Sequence, residues 1–253
     1  MIALFGNLSR DLLPGQPPRA GGGPFHGARA LQFVHVPARI FARAAEADRA
    51  VLLPALIKLG TPARFVSGES TATFSFSYNG DVRTMHIEAL GDQWRPSDIP
   101  QLPSTRWVHV APLSRHEWPT ETIAALARSH RVLLDGQGLV RVPKTGPLQL
   151  DDDFDREILR HVWVLKLAEE EAEVVGDPAS LGVREVLLTQ GSRGSTVYYG
   201  GRSEFIPAHA LNVDPTGAGD AFSTAYIVAR NADFSPPGAA RRATAVVASV
   251  LAR

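Results

Sequence analysis

Three observations predict an α/β chain with a mostly parallel central sheet, helices on both faces and a small β insertion. Short apolar runs alternate with helix-like segments, one paired run alternates aromatic with polar residues, and a glycine-rich turn opens a late helix. Ile2–Phe5, Ala38–Ala44, Trp107–Ala111, Val132–Asp135, Val162–Lys166 and Arg184–Thr189 have the length and apolar content of buried parallel strands. With 253 residues, 44% of them hydrophobic, one substantial core is affordable, and a single domain over 1–253 is expected.

Composition narrows the function classes. The formal charge is zero and the pI about 7.1, so neither a nucleic-acid footprint nor attraction to an acidic membrane is expected. The absence of cysteine excludes disulfides, cysteine-ligated zinc and thiolate catalysis, and fits a cytoplasmic location. No basic region precedes the opening apolar run, and no later run approaches membrane-spanning length.

Ile2–Phe5 ends at Gly6, so Asn7 to Asp11 fall at the carboxyl edge of a strand, where ligands of open α/β sheets bind. Asp11 is therefore a candidate for holding substrate hydroxyls, or a solvated loop charge. Pro14 to Ala20 read as loop, and Gly21-Gly22-Gly23-Pro24-Phe25-His26 as a turn into a helix, with glycines that let backbone approach a ligand. Asp48 is expected to cap a helix running to about Leu59 and ended by Gly60, with Ala63–Val66 extended after it. Thr71–Tyr78 and Val82–Glu88 break this rhythm. Phe74, Phe76 and Tyr78 alternate with Thr73, Ser75 and Ser77, and Asn79-Gly80 suits a type I′ turn, so this is a hairpin whose aromatic face needs a cover.

Thr120–His130 is expected as the helix between two core strands, and Asp135 to Arg141 follow the second strand at its carboxyl edge. Residues 142–153 read as loop, with Asp151 to Asp153 a solvated helix start rather than a metal site. Ser195–Tyr199 and Arg202–Ile206 form a hairpin across Gly200-Gly201, and Ser235-Pro236-Pro237 opens a last helix reaching Leu251. Lys58, Lys144 and Lys166 are the lysines of the chain, and none completes a Walker P-loop.

The stretch with the most chemistry is Asp214-Pro215-Thr216-Gly217-Ala218-Gly219-Asp220. Pro215 disfavours helix at Asp214 and Thr216 is able to cap, so a helix starts around Gly217. Its first amides lack internal partners, and Gly217, Ala218 and Gly219 leave them open to an anion at the positive end of the helix. Asp220 stands in the first turn, placed to take a proton from an attacking hydroxyl beside a bound phosphate. From these residues alone, a close-packed helix start with a favourable first-turn charge is the other reading.

Read with its neighbours, this stretch resembles the signature of the ribokinase-like (PfkB) carbohydrate kinase family. The resemblance implies a three-layer ribokinase-like fold with lid elements around 11–21 and 70–90. It makes Asp220 the catalytic base and Gly217, Ala218 and Gly219 the anion hole. Asp11 matches the substrate-binding aspartate, and Gly22 and Gly23 the di-glycine substrate motif, with His26 where the family usually has Asn. Gln137 and Arg141 match an Asp-x-Asn-x-x-x-Arg-like substrate stretch, with Gln in place of Asn. Glu171 matches the Glu of the family's Asn-x-x-Glu element, which arranges magnesium through water; Ala168 replaces the Asn and removes one polar contact. Thr189, Gly191 and Gly194 resemble the nucleotide turn, with Asp214 and Thr216 joining the nucleotide-binding set. The lid strands imply a homodimer contact. The whole implies an ATP- and Mg2+-using enzyme that phosphorylates a small polyol (sugar, inositol or nucleoside). Gly-Gly-Gly-Pro-Phe-His, Asp-x-Gln-Gly and Lys-x-Ala-x-Glu-Glu look closer to the inositol-kinase-like branch than to ribokinase itself. The alternative is a ligand-binding or regulatory protein of the same fold without turnover, which Ala168 and His26 favour and the intact Asp220 stretch opposes.

Overall fold

The computed structural model describes residues 1–79, 82–209 and 215–252. Gly80 of the expected turn, the Tyr78 side chain and Asp214 lie outside what is described. The chain opens with β1 (Ile2–Asn7), every residue of which is buried, then β2 (Ser9–Leu12), β3 (Arg19–Gly21) and α1 (Gly23–Leu31). β4 (Ala38–Ala45), α2 (Arg49–Ile57) and β5 (Ala63–Gly68) follow, then the hairpin β6 (Ala72–Asn79) and β7 (Val82–Ala89). Next come β8 (Trp107–Ala111), α3 (Thr120–Ala127), β9 (Arg131–Asp135), the single turn α4 (Gln137–Val140) and β10 (Gly146–Pro147). β11 (Val164–Ala168), α5 (Glu169–Val175), β12 (Glu185–Thr189), β13 (Gly194–Tyr199) and β14 (Arg202–Pro207) precede α6 (Ala218–Asn231) and α7 (Pro236–Leu251).

The large sheet has nine strands in the order β14-β13-β12-β11-β9-β8-β1-β4-β5. It is parallel from β12 to β5, with β13 and β14 added antiparallel at one edge. Side-chain alternation sends β1 to two cores. Ile2 and Leu4 pack with Tyr226 and Ala225 under α6, while Ala3 and Phe5 face Trp94 and Trp118 on the opposite side. Trp94 and Trp118 stack with centroids 5.0 Å apart, and both meet the Phe5 ring edge-on. The same alternation on β8 turns Val108 and Val110 to the tryptophan side and His109 to α6.

A second sheet, in the order β10-β7-β6-β2-β3, covers the carboxyl edge of the first. The aromatic alternation of the hairpin is present, and Phe74 and Phe76 are buried with Ala72, Ile87 and Leu113, so the chain itself covers a face that a lid would turn to substrate or a second subunit. Two expectations fail here. Residues 142–153, read as loop, contribute β10, which pairs Gly146 with Ile87 and Pro147 with His86; Pro147 is tolerated because β10 is an edge strand. Pro14 to Ala20, read as loop, end in β3, where Arg19 and Ala20 pair antiparallel with Asp11 and Arg10 of β2; β2 itself runs parallel to β6.

Helix boundaries are shorter than their patterns. Asp48 does not cap α2: its backbone is already helical and its carboxylate faces Arg10 at 3.7 Å. α3 stops at Ala127 rather than His130, and the Ser129 and His130 amides share the Leu126 carbonyl in the turn that closes it. Gly60 ends the α2 region with φ +79°, as read from the sequence. Asp151 and Asp152 pair with Arg115 and Arg156.

Candidate active site

The first turn of α6 sits where β1, β8, β9 and β11 reach their carboxyl edge. The far end of α6 is anchored through β12: Tyr226 donates a 2.6 Å hydrogen bond to Glu185, and Arg230 bridges the same carboxylate at 2.7 Å. At the near end the N-cap is Gly217, with φ +79°, rather than Thr216, and no side chain caps the helix. The Ala218 amide bonds the Pro215 carbonyl at 2.9 Å, so a ligand at this turn would displace that bond or meet the amides beside it. Only glycine fits this cap. A β-carbon there would adopt a left-handed backbone and come 2.1 Å from Nδ1 of His26, so the α1 imidazole lies directly against the anion hole.

Two helix N-termini converge on Asp220. α1 begins at Gly23 after the left-handed Gly22, where a β-carbon would strike the Asn7 carbonyl at 2.3 Å. A β-carbon on Gly23 would lie 2.1 Å from that of Ala111 and 3.1 Å from Asp220 Oδ1. The di-glycine motif thus lets backbone close on the carboxylate. Burial raises the Asp220 pKa above its ordinary value and the Asp135 charge raises it further, against the opposing pull of His26, His109 and Lys166. A carboxylate held this way is a stronger proton acceptor than one in water.

Beneath Asp220 lies a network that sequence reasoning missed. Asp135, at the end of β9, accepts hydrogen bonds from His109 Nε2 at 2.6 Å and from Ser223 Oγ at 2.6 Å, and His109 Nδ1 lies 3.0 Å from Thr224 Oγ1. Burial alone would raise the Asp135 pKa; the His109 charge and hydrogen bond, Lys166 and Ser223 together hold it below its ordinary value. Lys166, near the end of β11, is 7% exposed and stays charged despite burial because Glu171, Asp135 and Asp220 surround it. Its Nζ would stand 3.0 Å from a β-carbon on Gly219. The signal for it was present: a lysine inside the apolar run Val164-Leu165-Lys166-Leu167 needs charged partners.

The remaining expected residues divide into groups. Asp11 lies on β2 of the covering sheet, accepts from Ser9 Oγ at 2.7 Å and fills the space beside Gly21. Gln137 opens α4 at the end of β9, and Arg141 follows α4 with its carbonyl bonded to the Arg115 amide. Glu171 is 4% exposed, accepts the Ala168 N–H at 2.8 Å and faces Lys166 Nζ at 3.9 Å. Its carboxylate closes the start of α5 over the alanine. Among the described residues no three His, Asp or Glu side chains gather into a metal cluster.

Beside the α6 N-terminus is a cavity of about 790 Å³, within the range of small-molecule sites. Thr189, Gly191 and Gly194 line it, as do Lys166, Ala218 and Gly219, while Ile206, Phe222 and Val247 supply apolar wall. Gly191 and Gly194 have φ of +56° and +129°, and a β-carbon on Gly194 would strike the Ile206 carbonyl at 2.1 Å. Thr189 Oγ1 donates to the Leu167 carbonyl at 3.1 Å, which ties the turn to β11. The cavity, the anion hole and Asp220 therefore lie in sequence along one edge.

A nine-stranded α/β sheet with a five-stranded cover over this edge is the ribokinase-like fold. A structure of a pyrophosphate-dependent kinase in the ribokinase family, complexed with a pyrophosphate analogue and myo-inositol, superimposes with TM-score 0.87 over 100% of this chain and 96% of that one, at 23% identity. Ribokinase of Thermotoga maritima gives TM-score 0.72 over 99% and 91%, at 18% identity. Residues 147–253 match the model of the pfkB family carbohydrate kinases. Inositol 3-kinase of Zea mays is 35% identical over 112 residues, 42% of this chain. That match spans 30% of the maize protein. Among the described residues no helix is long and apolar enough to cross a membrane.

Proposed function

We propose that the protein transfers the γ-phosphoryl group of ATP to a hydroxyl of a small polyol, with Asp220 as general base and the amides of Gly217, Ala218 and Gly219 as anion hole. The observation that carries this reading is the placing of one carboxylate of raised basicity at two converging helix N-termini beside a nucleotide-sized cavity. The acceptor hydroxyl would lie against Asp220, with Gly22, Gly23 and His26 behind it and Asp11, Gln137 and Arg141 reaching from the cover and from β9. As its oxygen attacks phosphorus, the proton passes to Asp220, and the charge on the transferring group is met by the α6 amides. Thr189, Gly191, Gly194 and Thr216 would hold the donor.

Similarity to a plant inositol 3-kinase in the matched region makes an inositol the first acceptor to try. ATP is the favoured donor because the cavity has an apolar wall suited to a base. A fold neighbour that uses pyrophosphate makes that anion the second reading. Magnesium would arrive on the donor's phosphates: Glu171 is committed to the Ala168 amide and to Lys166, so the described residues supply no ready-made metal site and no step is assigned to the ion. A cytoplasmic setting goes with ATP as donor, and a homodimer through the edge strands of the cover remains part of the proposal.

The test incubates the protein with inositols, pentoses, hexoses and nucleosides, with ATP or pyrophosphate and magnesium, and follows product by phosphorus NMR. Release of ADP dependent on one acceptor class supports the reading, and release of phosphate from pyrophosphate alone supports the second. Acceptor binding without transfer from either donor would make this a binding protein that keeps the fold.

A further inference from the structure

We infer that Lys166 is a catalytic residue, the cation that grips the donor's phosphates beside the anion hole and neutralises the leaving group as it departs. This rests on the kinase reading above and adds a residue that neither the sequence motifs nor the family match assigns.

Lys166 is nearly buried, and its ammonium stands against Gly219 in the first turn of α6. A cation at the N-terminus of a helix faces the positive end of the dipole, and a buried one also loses its hydration. Glu171, Asp135 and Asp220 balance the buried charge, and a phosphate between the ammonium and the helix amides would turn both positive groups to advantage. Glu171, Asp135 and Asp220 keep the amine protonated, yet the ion pair with Glu171 is 3.9 Å long, beyond hydrogen-bond length. The three N–H donors of the ammonium thus have room for an incoming oxygen, and the side chain lines the cavity.

Arg241, the arginine that lines the same cavity, is paired with Glu204, which leaves this role to Lys166. Ala168 has no polar group to offer, and Glu171 bonds the Ala168 amide. In the step itself, the acceptor oxygen forms a bond to phosphorus and gives its proton to Asp220. The bond from phosphorus to the bridging oxygen breaks, and its electron pair stays on the departing ADP. The negative charge gained there is the charge that Lys166 faces.

The lysine content makes the test direct. Lysine labelled with ¹³C at Cε gives signals for Lys58, Lys144 and Lys166 only, and Lys166 is assigned by its loss in Lys166→Arg. Addition of a non-hydrolysable ATP analogue should shift the Lys166 signal and leave those of exposed Lys58 and Lys144 in place. In turnover, Lys166→Met should lower kcat by about 10²-fold, the scale of one lost charge-stabilising donor, and raise KM for ATP. Lys166→Arg should recover most of the loss in KM. The inference is overturned if amide signals around Gly219 report analogue binding while the Lys166 signal stays fixed, a result on the wild-type protein that needs no variant to fold. Unchanged kcat and KM in a folded Lys166→Met would overturn it too. Absence of analogue binding and of ADP release with every acceptor would instead bring down the kinase reading, and this inference with it.

Discussion

Gly217→Ala isolates the contact that joins the two helix starts. The new methyl group brings two costs. A left-handed backbone is worth about 1–2 kcal/mol against a non-glycine residue, and the β-carbon would overlap the His26 ring at 2.1 to 2.7 Å. Overpacking at a site that must shift adds about 1–3 kcal/mol. Gly182 supplies the control, because it has φ +72° with nothing within 4 Å of its β-carbon position and so bears the backbone cost alone. Urea denaturation should therefore show Gly182→Ala losing about 1–2 kcal/mol and Gly217→Ala about 2–5 kcal/mol. Turnover should fall only in Gly217→Ala, since displaced His26 and a distorted first turn both border the anion hole. Equal losses of stability in the two variants, with turnover intact, would refute the packing of His26 against this cap.

Three further outcomes follow from the same geometry. Asp135→Asn removes the negative neighbour that helps raise the Asp220 pKa, so the acid limb of the rate–pH profile should move to lower pH; an unmoved or rising limb would separate the two carboxylates. Glu117 is fully buried, accepts the Leu113 amide at 2.8 Å, and is pushed by burial up to about 8. The folded state then holds a proton that the unfolded chain releases near 4.5, so stability should decline as pH rises from about 4.5 to about 8, and Glu117→Gln should flatten that slope in denaturation at pH 5, 6.5 and 8. Hydrogen exchange over Thr71–Glu88 should slow when acceptor and donor are added if the covering sheet closes over them; unchanged protection together with a monomeric mass would leave it a fixed wall.

Much of this fold is legible in the sequence, for identifiable reasons. β1, β8, β9 and β12 are apolar runs of strand length bounded by turn residues, and burial on both faces leaves such runs few other uses. The Gly-Ala-Gly start of α6 was equally readable, because proline, glycine and a first-turn carboxylate all point to one boundary. β2, β3 and β10 were not. Each is four residues or shorter, carries charge, proline or glycine, and is extended only because a neighbour offers backbone partners: β6 to β2, β7 to β10 and β2 to β3. The site divides in the same way. Local motifs located Asp220, Gly23 and the Thr189–Gly194 turn, whereas the His109–Asp135–Ser223 chain joins residues from β8, β9 and α6 that no spacing rule links. Glu171 was placed by its motif, but its bond to the Ala168 amide and its approach to Lys166 were not legible from it.

Asp220→Asn tests Asp220 as the proton acceptor in phosphoryl transfer. The substitution keeps the size of the side chain and removes its charge, so thermal melting and binding of an ATP analogue should stay near wild type. Steady-state turnover with the acceptor identified by the panel should then fall by at least ~10²-fold, the low end for a positioned general base. A folded, nucleotide-binding Asp220→Asn protein with wild-type turnover would contradict the account.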